Sequence, residues 1–321
     1  MTRSRVHCAV RLLPVLAVLV IAGCAGRPRQ LVDASVPGAS EILWTQHDSV
    51  LAVSLRGRGL ALLESVSGAE RQAWRLPEVP AHAAYGLAAS GAGETLAVAT
   101  ADSVRVFAGR GLAPLFSAPG RAEALALSGD GTRLLWSDGN VVRSLDVPSG
   151  RQHPDVMLPM GRGSLRATPL GRFVFPAGRE VTFAGDHLQP DFALGPFLDA
   201  PPRRVALSPT GNTIAVAEST THVSFWDVNA SRMRWRLQLD EAGRFDGLAL
   251  SRDALLLATA HGGRVRVRWA YTGRSVADWA PHNGAEVLDL AFAGDGRRLA
   301  TVGADGGVRT WAMPAPPRGR R

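Results

Sequence analysis

The chain has 321 residues, with 36 arginines and no lysine against 28 acids, a formal charge of +8 and 46% hydrophobic residues. The absence of lysine excludes Schiff-base and Ser-x-x-Lys chemistry, and two cysteines, Cys8 and Cys24, leave no basis for a cysteine metal site. The positive charge sits at the ends: without the arginines at 3, 5, 11, 27, 29, 318, 320 and 321, the remaining 28 equal the 28 acids, so the body is neutral and gives no basis for a nucleic-acid partner.

At the N-terminus, Arg3, Arg5 and Arg11 border an apolar run from Leu12 to Gly23. That run is shorter than the roughly 20 residues a spanning helix needs, so residues 1–23 read as a secretory signal. The stretch Ile21-Ala22-Gly23-Cys24 resembles the lipobox of bacterial lipoproteins. The resemblance implies cleavage before Cys24, lipid on its sulfur, a lipidated tether over 24–29 and a mature chain without a free thiol. Ala25, where an aspartate would signal inner-membrane retention, implies the outer membrane, facing the periplasm. An ordinary signal peptide that contains a cysteine is the alternative. The arginines of the tether and of the tail, 314–321, have two readings, contact with anionic headgroups and plain solvation.

From residue 30 to 313 the sequence repeats. Copies start near Ser40, Tyr85, Glu123, Gly163, Arg204, Asp246 and Leu288; each runs from an apolar strand through an SPDG-like turn, a second apolar strand, a tight polar turn and a third strand often closed by tryptophan. Ser128 to Ser208 spans two units, Ser208 to Ser251 is 43 residues, and Ser251 to Ala293 is 42. A period near 40 is that of four-stranded propeller blades. The copies resemble WD repeats: in the seventh, Pro281-His282 stands for the family's Gly-His, GDGRRLAT for SPDGxxLAS and Trp311-Ala312 for Trp-Asp; the fifth carries Trp226-Asp227 and the sixth Trp269-Ala270. The expected fold is all-β, a seven-bladed WD-repeat-like β-propeller. After the seventh copy the chain runs into proline, which cannot donate to a ladder, so the outer strand of that blade is expected from residues 30–36, QLVDASV.

His282, Thr301, Asp305 and Trp311 match the family's buried tetrad residue by residue. As a fastener they satisfy one another; as a catalytic relay they would need an exposed nucleophile beside an oxyanion site. The other histidines, among them His47, His82, His153 and His187, show no metal-ligand spacing. Asp130, Asp253 and Asp295 recur at one turn position, where they can bond backbone amides, and Asn229-Ala230-Ser231 reads as a turn. The family's usual partner face implies candidates in the second-to-third turns: Arg56, Arg58, Asp102, Asp138, Asn140, Arg179, Thr221, His222 and His261. The reading is of a non-enzymatic, monomeric interaction scaffold without cofactor, holding another envelope protein or peptide segment and tied to the membrane by lipid. The alternative is a propeller hydrolase or lactonase, which needs carboxylates or histidines converging on the central channel.

Overall fold

Apolar strands repeated every 40 or so residues have no core of their own unless neighbouring repeats stack. The computed structural model describes residues 27–314 apart from 57, 77–85, 92, 159–164, 169–170, 186–187, 189, 195–201, 203, 219–220 and 240–244; residues 1–26, with the expected signal and Cys24, and His82, His187 and residues 315–321 lie outside that set. The chain enters through β1 (Arg29–Ser35) and then forms seven antiparallel sheets in chain order. Blade 1 is β2 (Glu41–Thr45), β3 (Val50–Ser54), β4 (Gly59–Glu64) and β5 (Glu70–Arg75). Blade 2 is β6 (Leu87–Ala89), β7 (Thr95–Ala99), β8 (Ser103–Ala108) and β9 (Pro114–Pro119). Blade 3 is β10 (Ala124–Leu127), β11 (Arg133–Asp138) and β12 (Val141–Asp146), with an outer edge split into β13 (Arg151–Gln152) and β14 (Val156–Met157), both paired with β12. Blade 4 is β15 (Arg166–Ala167), β16 (Phe173–Ala177), β17 (Glu180–Ala184) and β18 (Pro190–Leu194). Blade 5 is β19 (Arg204–Leu207), β20 (Thr213–Ala217), β21 (His222–Asp227) and β22 (Arg232–Gln238). Blade 6 is β23 (Gly247–Leu250), β24 (Leu256–His261), β25 (Arg264–Trp269) and β26 (Ser275–Trp279). Blade 7 is β27 (Val287–Phe292), β28 (Arg298–Gly303) and β29 (Gly307–Ala312), completed by β1 on the outside.

The first strands line the axis: β27 touches β2, β2 touches β6, β6 touches β10, β10 touches β15, and β19 touches β23, which touches β27. Every one of the seven core clusters is shared between two adjacent blades, including one between blades 7 and 1. Middle strands are therefore buried on both faces, as in VLAVS of β3 and TIAVA of β20. Outer strands such as ERQAWR and RMRWRLQ carry charge on the open edge, which discourages edge pairing with another chain.

One turn chemistry recurs between first and second strands. The Ser128 hydroxyl donates to Asp130 Oδ1 at 2.6 Å and accepts from Arg133 N at 2.9 Å, and Ser251 does the same with Asp253 and Leu256 N. Three residues after the hydroxyl the backbone turns left-handed, at Gly93, Gly131, Gly171 and Gly211 and, after Ala293, at Gly296; in blade 6 the place is taken by Ala254, at φ +57°. A left-handed residue with a Cβ costs about 1–2 kcal/mol, partly offset in the unfolded chain. Ala254→Gly is therefore expected to stabilise the fold by about 0.5–1 kcal/mol in urea unfolding; an unchanged or lower midpoint contradicts this account of the turn.

Closure occurs in blade 7. β1 runs antiparallel to β29, from Arg29 opposite Ala312 to Ser35 opposite Gly307, and Val36 N donates to Gly306 O at 2.7 Å. Val32 is buried against Gly68 of blade 1, so the closing strand touches both sides of the seam.

Candidate functional site

The four residues of the seventh repeat sit on four pieces of blade 7: His282 before β27, Thr301 in β28, Asp305 in the turn and Trp311 in β29. Trp311 Nε1 donates to Thr301 Oγ1 at 3.1 Å, Thr301 Oγ1 lies 3.0 Å from His282 Nε2, and His282 Nδ1 lies 2.9 Å from Asp305 Oδ1. An indole N–H can only donate, so the threonine proton is free for Nε2 and the ring proton on Nδ1 goes to the carboxylate. Asp305 Oδ1 also accepts from Gly307 N at 2.9 Å, which closes the turn. A Cβ at Gly303 would overlap the His282 ring and the Asp305 carboxylate, so the close approach requires glycine.

Burial pushes the His282 pKa down despite the adjacent Asp305, and Arg309, whose Nη1 comes within 2.5 Å of Nδ1, adds to the effect; the imidazole is neutral. The Asp305 carboxyl, although partly desolvated, is held below its usual range by Arg309, the Gly307 amide and His282. Thr301 is 0% exposed and His282 1%. The hydroxyl that a relay would need exposed is sealed, and the four side chains satisfy one another's hydrogen bonds as a fastener would. Its last link leads outward: Arg309 Nη1 donates to Asp305 Oδ2 at 2.8 Å, and Arg309 Nε donates to Asp33 Oδ1 of β1 at 2.9 Å. The tetrad is thus hydrogen-bonded to the closing strand.

Other blades secure the same places differently. In blade 1 the Ser40 and Ser54 hydroxyls lie 2.9 Å apart and take the Arg56 and Glu41 amides. In blade 2 Thr100, Asp102 and Ser103 bond one another; in blade 5 Trp226 Nε1 donates to Ser224 Oγ at 2.8 Å; in blade 6 Arg268, 2% exposed, donates to Thr259 Oγ1, and Asp246 accepts from Gly262 N.

The expected partner residues all lie on the face of the second-to-third turns, one set per blade from 1 to 6, without meeting in a single cluster. Several are already engaged. Asp102 bonds Ser103 and Thr100, which keeps its carboxyl below the usual range; Thr221 Oγ1 lies 3.0 Å from His222 Nδ1; the His261 ring packs on Phe245 with centroids 4.5 Å apart. Asp138 is half-buried, whereas Arg56, Arg58, Asn140 and Arg179 are exposed around the rim of this face.

A second group was not anticipated. Glu41 of β2, Arg166 of β15, Arg204 of β19 and Asp289 of β27 face one another electrostatically across the channel. No direct ion pair joins them among the described residues. Glu41 instead accepts from the Leu87 amide and Asp289 Oδ2 from Ile42 N at 3.0 Å, linking blades 7, 1 and 2. Burial, reinforced by Asp289, pushes Glu41 up to about 7; burial also raises Asp289 and lowers Arg166. Glu41, Arg204 and Asp289 are half-buried and Arg166 is exposed, so the group is wetted by the channel. The signal was present in the repeat: Glu41, Arg204 and Asp289 stand four residues before the first-to-second turn, where other copies have Gly86, Ala124 or Gly247. Among the described residues, no group of three or more His, Cys, Asp or Glu could hold a metal. On the outer wall, a cavity of about 310 Å³ is lined by Trp74, Arg105, Phe107 and Pro114 to Ser117, with the Arg105 guanidinium 4.9 Å over the Trp74 ring.

The family model for the WD domain, G-beta repeat, matches residues 273–312, which hold the outer strand of blade 6, the inner three of blade 7 and the whole tetrad. The β-propeller domain of Cps50 (Swd1) from Myceliophteria thermophila superposes with a TM-score of 0.77 at 11% identity, over 89% of this chain and 100% of that one. The architecture is a WD-repeat-like β-propeller. No curated protein matches its sequence. At 11% identity the likeness carries the fold alone, and this WD-repeat-like propeller keeps its complete tetrad in the blade that the closing strand must seal.

Two outcomes test this electrostatic picture. Asp305→Ala is expected to lower stability by about 1–3 kcal/mol, since it strands the His282 N–H and the Gly307 amide; an unchanged melting point contradicts the fastener. Glu41 has the opposite sign from a paired carboxylate: its folded-state pKa, pushed up to about 7, exceeds the ordinary 4.5 of a free glutamate, so its contribution is fully present below 4.5 and is lost as pH rises through 7. Glu41→Gln should therefore be near neutral at pH 4.5 and stabilise by about 1–2 kcal/mol at pH 8. A variant equally destabilised at both pH values contradicts it.

Proposed function

We propose that the chain is a non-enzymatic scaffold of the bacterial envelope, anchored by lipid on Cys24 and binding another envelope protein or a peptide segment through the face of the second-to-third turns. The observation that carries the reading is the completely buried Thr301: the constellation that could have supplied chemistry is sealed inside blade 7. WD-repeat-like propellers are in general surfaces for other proteins or peptides, a fold-level likeness that raises the expectation without naming a partner. The exposed arginines Arg56, Arg58 and Arg179 and the amide of Asn140 supply rim donors suited to acidic or carbonyl-rich partners. The signal-like N-terminus, the lipobox and Ala25 favour the periplasmic face of the outer membrane.

The competing reading, a propeller hydrolase or lactonase, has one observation in its favour, the convergence of Glu41 and Asp289 with Arg166 and Arg204 at the channel. Photo-crosslinkers placed at Arg58, Asn140 and Arg179 in the producing cells are expected to capture one recurrent protein. Arg58→Glu with Arg179→Glu should weaken that capture about tenfold at an unchanged melting temperature, the effect of losing roughly 1.4 kcal/mol at an interface. No capture from this face, together with an ester or lactone turnover abolished by Glu41→Gln, would replace the scaffold reading with the enzymatic one.

A further inference from the structure

The turns joining first to second and third to outer strands form the face opposite the second-to-third turns. Among the described residues, seven large apolar side chains are strongly exposed, and six of them lie at this opposite face. Val66, Leu255 and Tyr271, at 83%, 50% and 75%, sit in its turns; Leu115 and Met233 follow such turns at the starts of β9 and β22; Leu31 lies near the start of β1, beside the end of β29. The seventh, Met157, pairs with Val141 at the other end of the sheet. The six belong to blades 5, 6, 7, 1 and 2, a continuous arc centred on blade 7.

Charge follows the same arc. Arg110, Arg252, Arg274 and Arg297 are exposed in its turns, and none has an ion pair among the described residues. Most of the neighbouring acids are engaged, Asp253 with Ser251 and Leu255 N and Asp295 with Arg298; Glu94, exposed in the blade 2 turn near Arg110, is the acid of this arc with no ion pair among the described residues. Apolar tips among unpaired arginines match the boundary between acyl chains and anionic headgroups.

Both ends of the described chain point to the same occupant. β1 begins opposite Ala312, at this face, only five residues after Cys24, a reach of about 17 Å when fully extended. The chain leaves β29 at the same place, followed in sequence by Arg318, Arg320 and Arg321.

We infer that the first-to-second and third-to-outer turn face of blades 5, 6, 7, 1 and 2 rests on an anionic lipid surface. The orientation rests on the lipid-anchor reading and leaves the second-to-third turns pointing away from the membrane toward a partner.

The test needs no substitution, because the chain carries its own probes. Full-length protein purified from the producing cells is mixed with vesicles of 7:3 phosphatidylcholine and phosphatidylglycerol and footprinted with hydroxyl radicals, while the mass of the N-terminal peptide reports lipid on Cys24. Oxidation of Met233, Leu255 and Tyr271 is expected to fall several-fold relative to vesicle-free protein, while oxidation of Met157 stays unchanged. Equal protection of Met157, or no protection anywhere, overturns the inference. A lipidated N-terminus with an unprotected face refutes the orientation alone, and a protected face on an unlipidated chain refutes the anchor alone and upholds the surface. Loss of protection on replacing phosphatidylglycerol by phosphatidylcholine is the further expected result; protection that is indifferent to headgroup charge contradicts the role given to the arginines.

Discussion

The pairing of β1 with β29 is the contact on which the rest of the ring depends. Each apolar cluster is split between two blades, so no blade holds a core that survives separation from its neighbours. Six of the seven interfaces join blades made of consecutive sequence. The seventh, between blades 7 and 1, joins the two ends of the chain, and the outer strand of blade 7 comes from the residues that precede blade 1. The seam is reinforced by long-range links besides the ladder: Asp48 accepts from the Gly294 and Asp295 amides, Trp44 Nε1 donates to Ala291 O at 2.9 Å, and the Arg298 guanidinium lies 4.7 Å over the Trp44 ring.

Against that background the unequal preservation of the repeats makes physical sense. Blade 7 keeps histidine, threonine, aspartate and tryptophan because its outermost strand is not supplied by the chain that follows it, and the tetrad reaches that strand through Arg309 and Asp33. In the other blades described, serine pairs, a threonine-aspartate turn or a buried arginine satisfy the same backbone positions with fewer parts. Blade 1 takes the strain of the seam in its backbone, with Gln46, His47 and Asp48 all at positive φ so that Asp48 can reach across to blade 7.

Much of this was legible in the sequence because the determinants are local and periodic. The recurrence of Ser128, Ser208 and Ser251 before a turn marked the strands, and proline after β29 implied an outer strand from elsewhere, found at Arg29–Ser35. Asp305 stood out because His282, Thr301 and Trp311 lie around it at the spacing of the resembled repeat. What escaped the sequence depends on closure of the ring. Glu41 and Asp289 are 248 positions apart and meet only because blades 1 and 7 adjoin; Arg166 and Arg204 join them only across the axis. Nothing local to Asp33 tells that it pairs with Arg309. The partner candidates sort for the same reason: Asp102 and His261 occupy the expected turns, but their side chains are already engaged there, while Arg58 and Asn140 stand exposed at the rim.

A ring whose every apolar cluster is shared between blades, sealed at one seam, should unfold as one unit. Native-state hydrogen exchange on a Val32→Asp variant, which places a charge in the buried contact between the closing strand and blade 1, tests this most directly. The account predicts that amides in the middle strands of all seven blades lose protection together, by the same free energy. Loss confined to β1 and β27–β29, with β11 and β20 unaffected, would contradict the claim that the seam holds the ring.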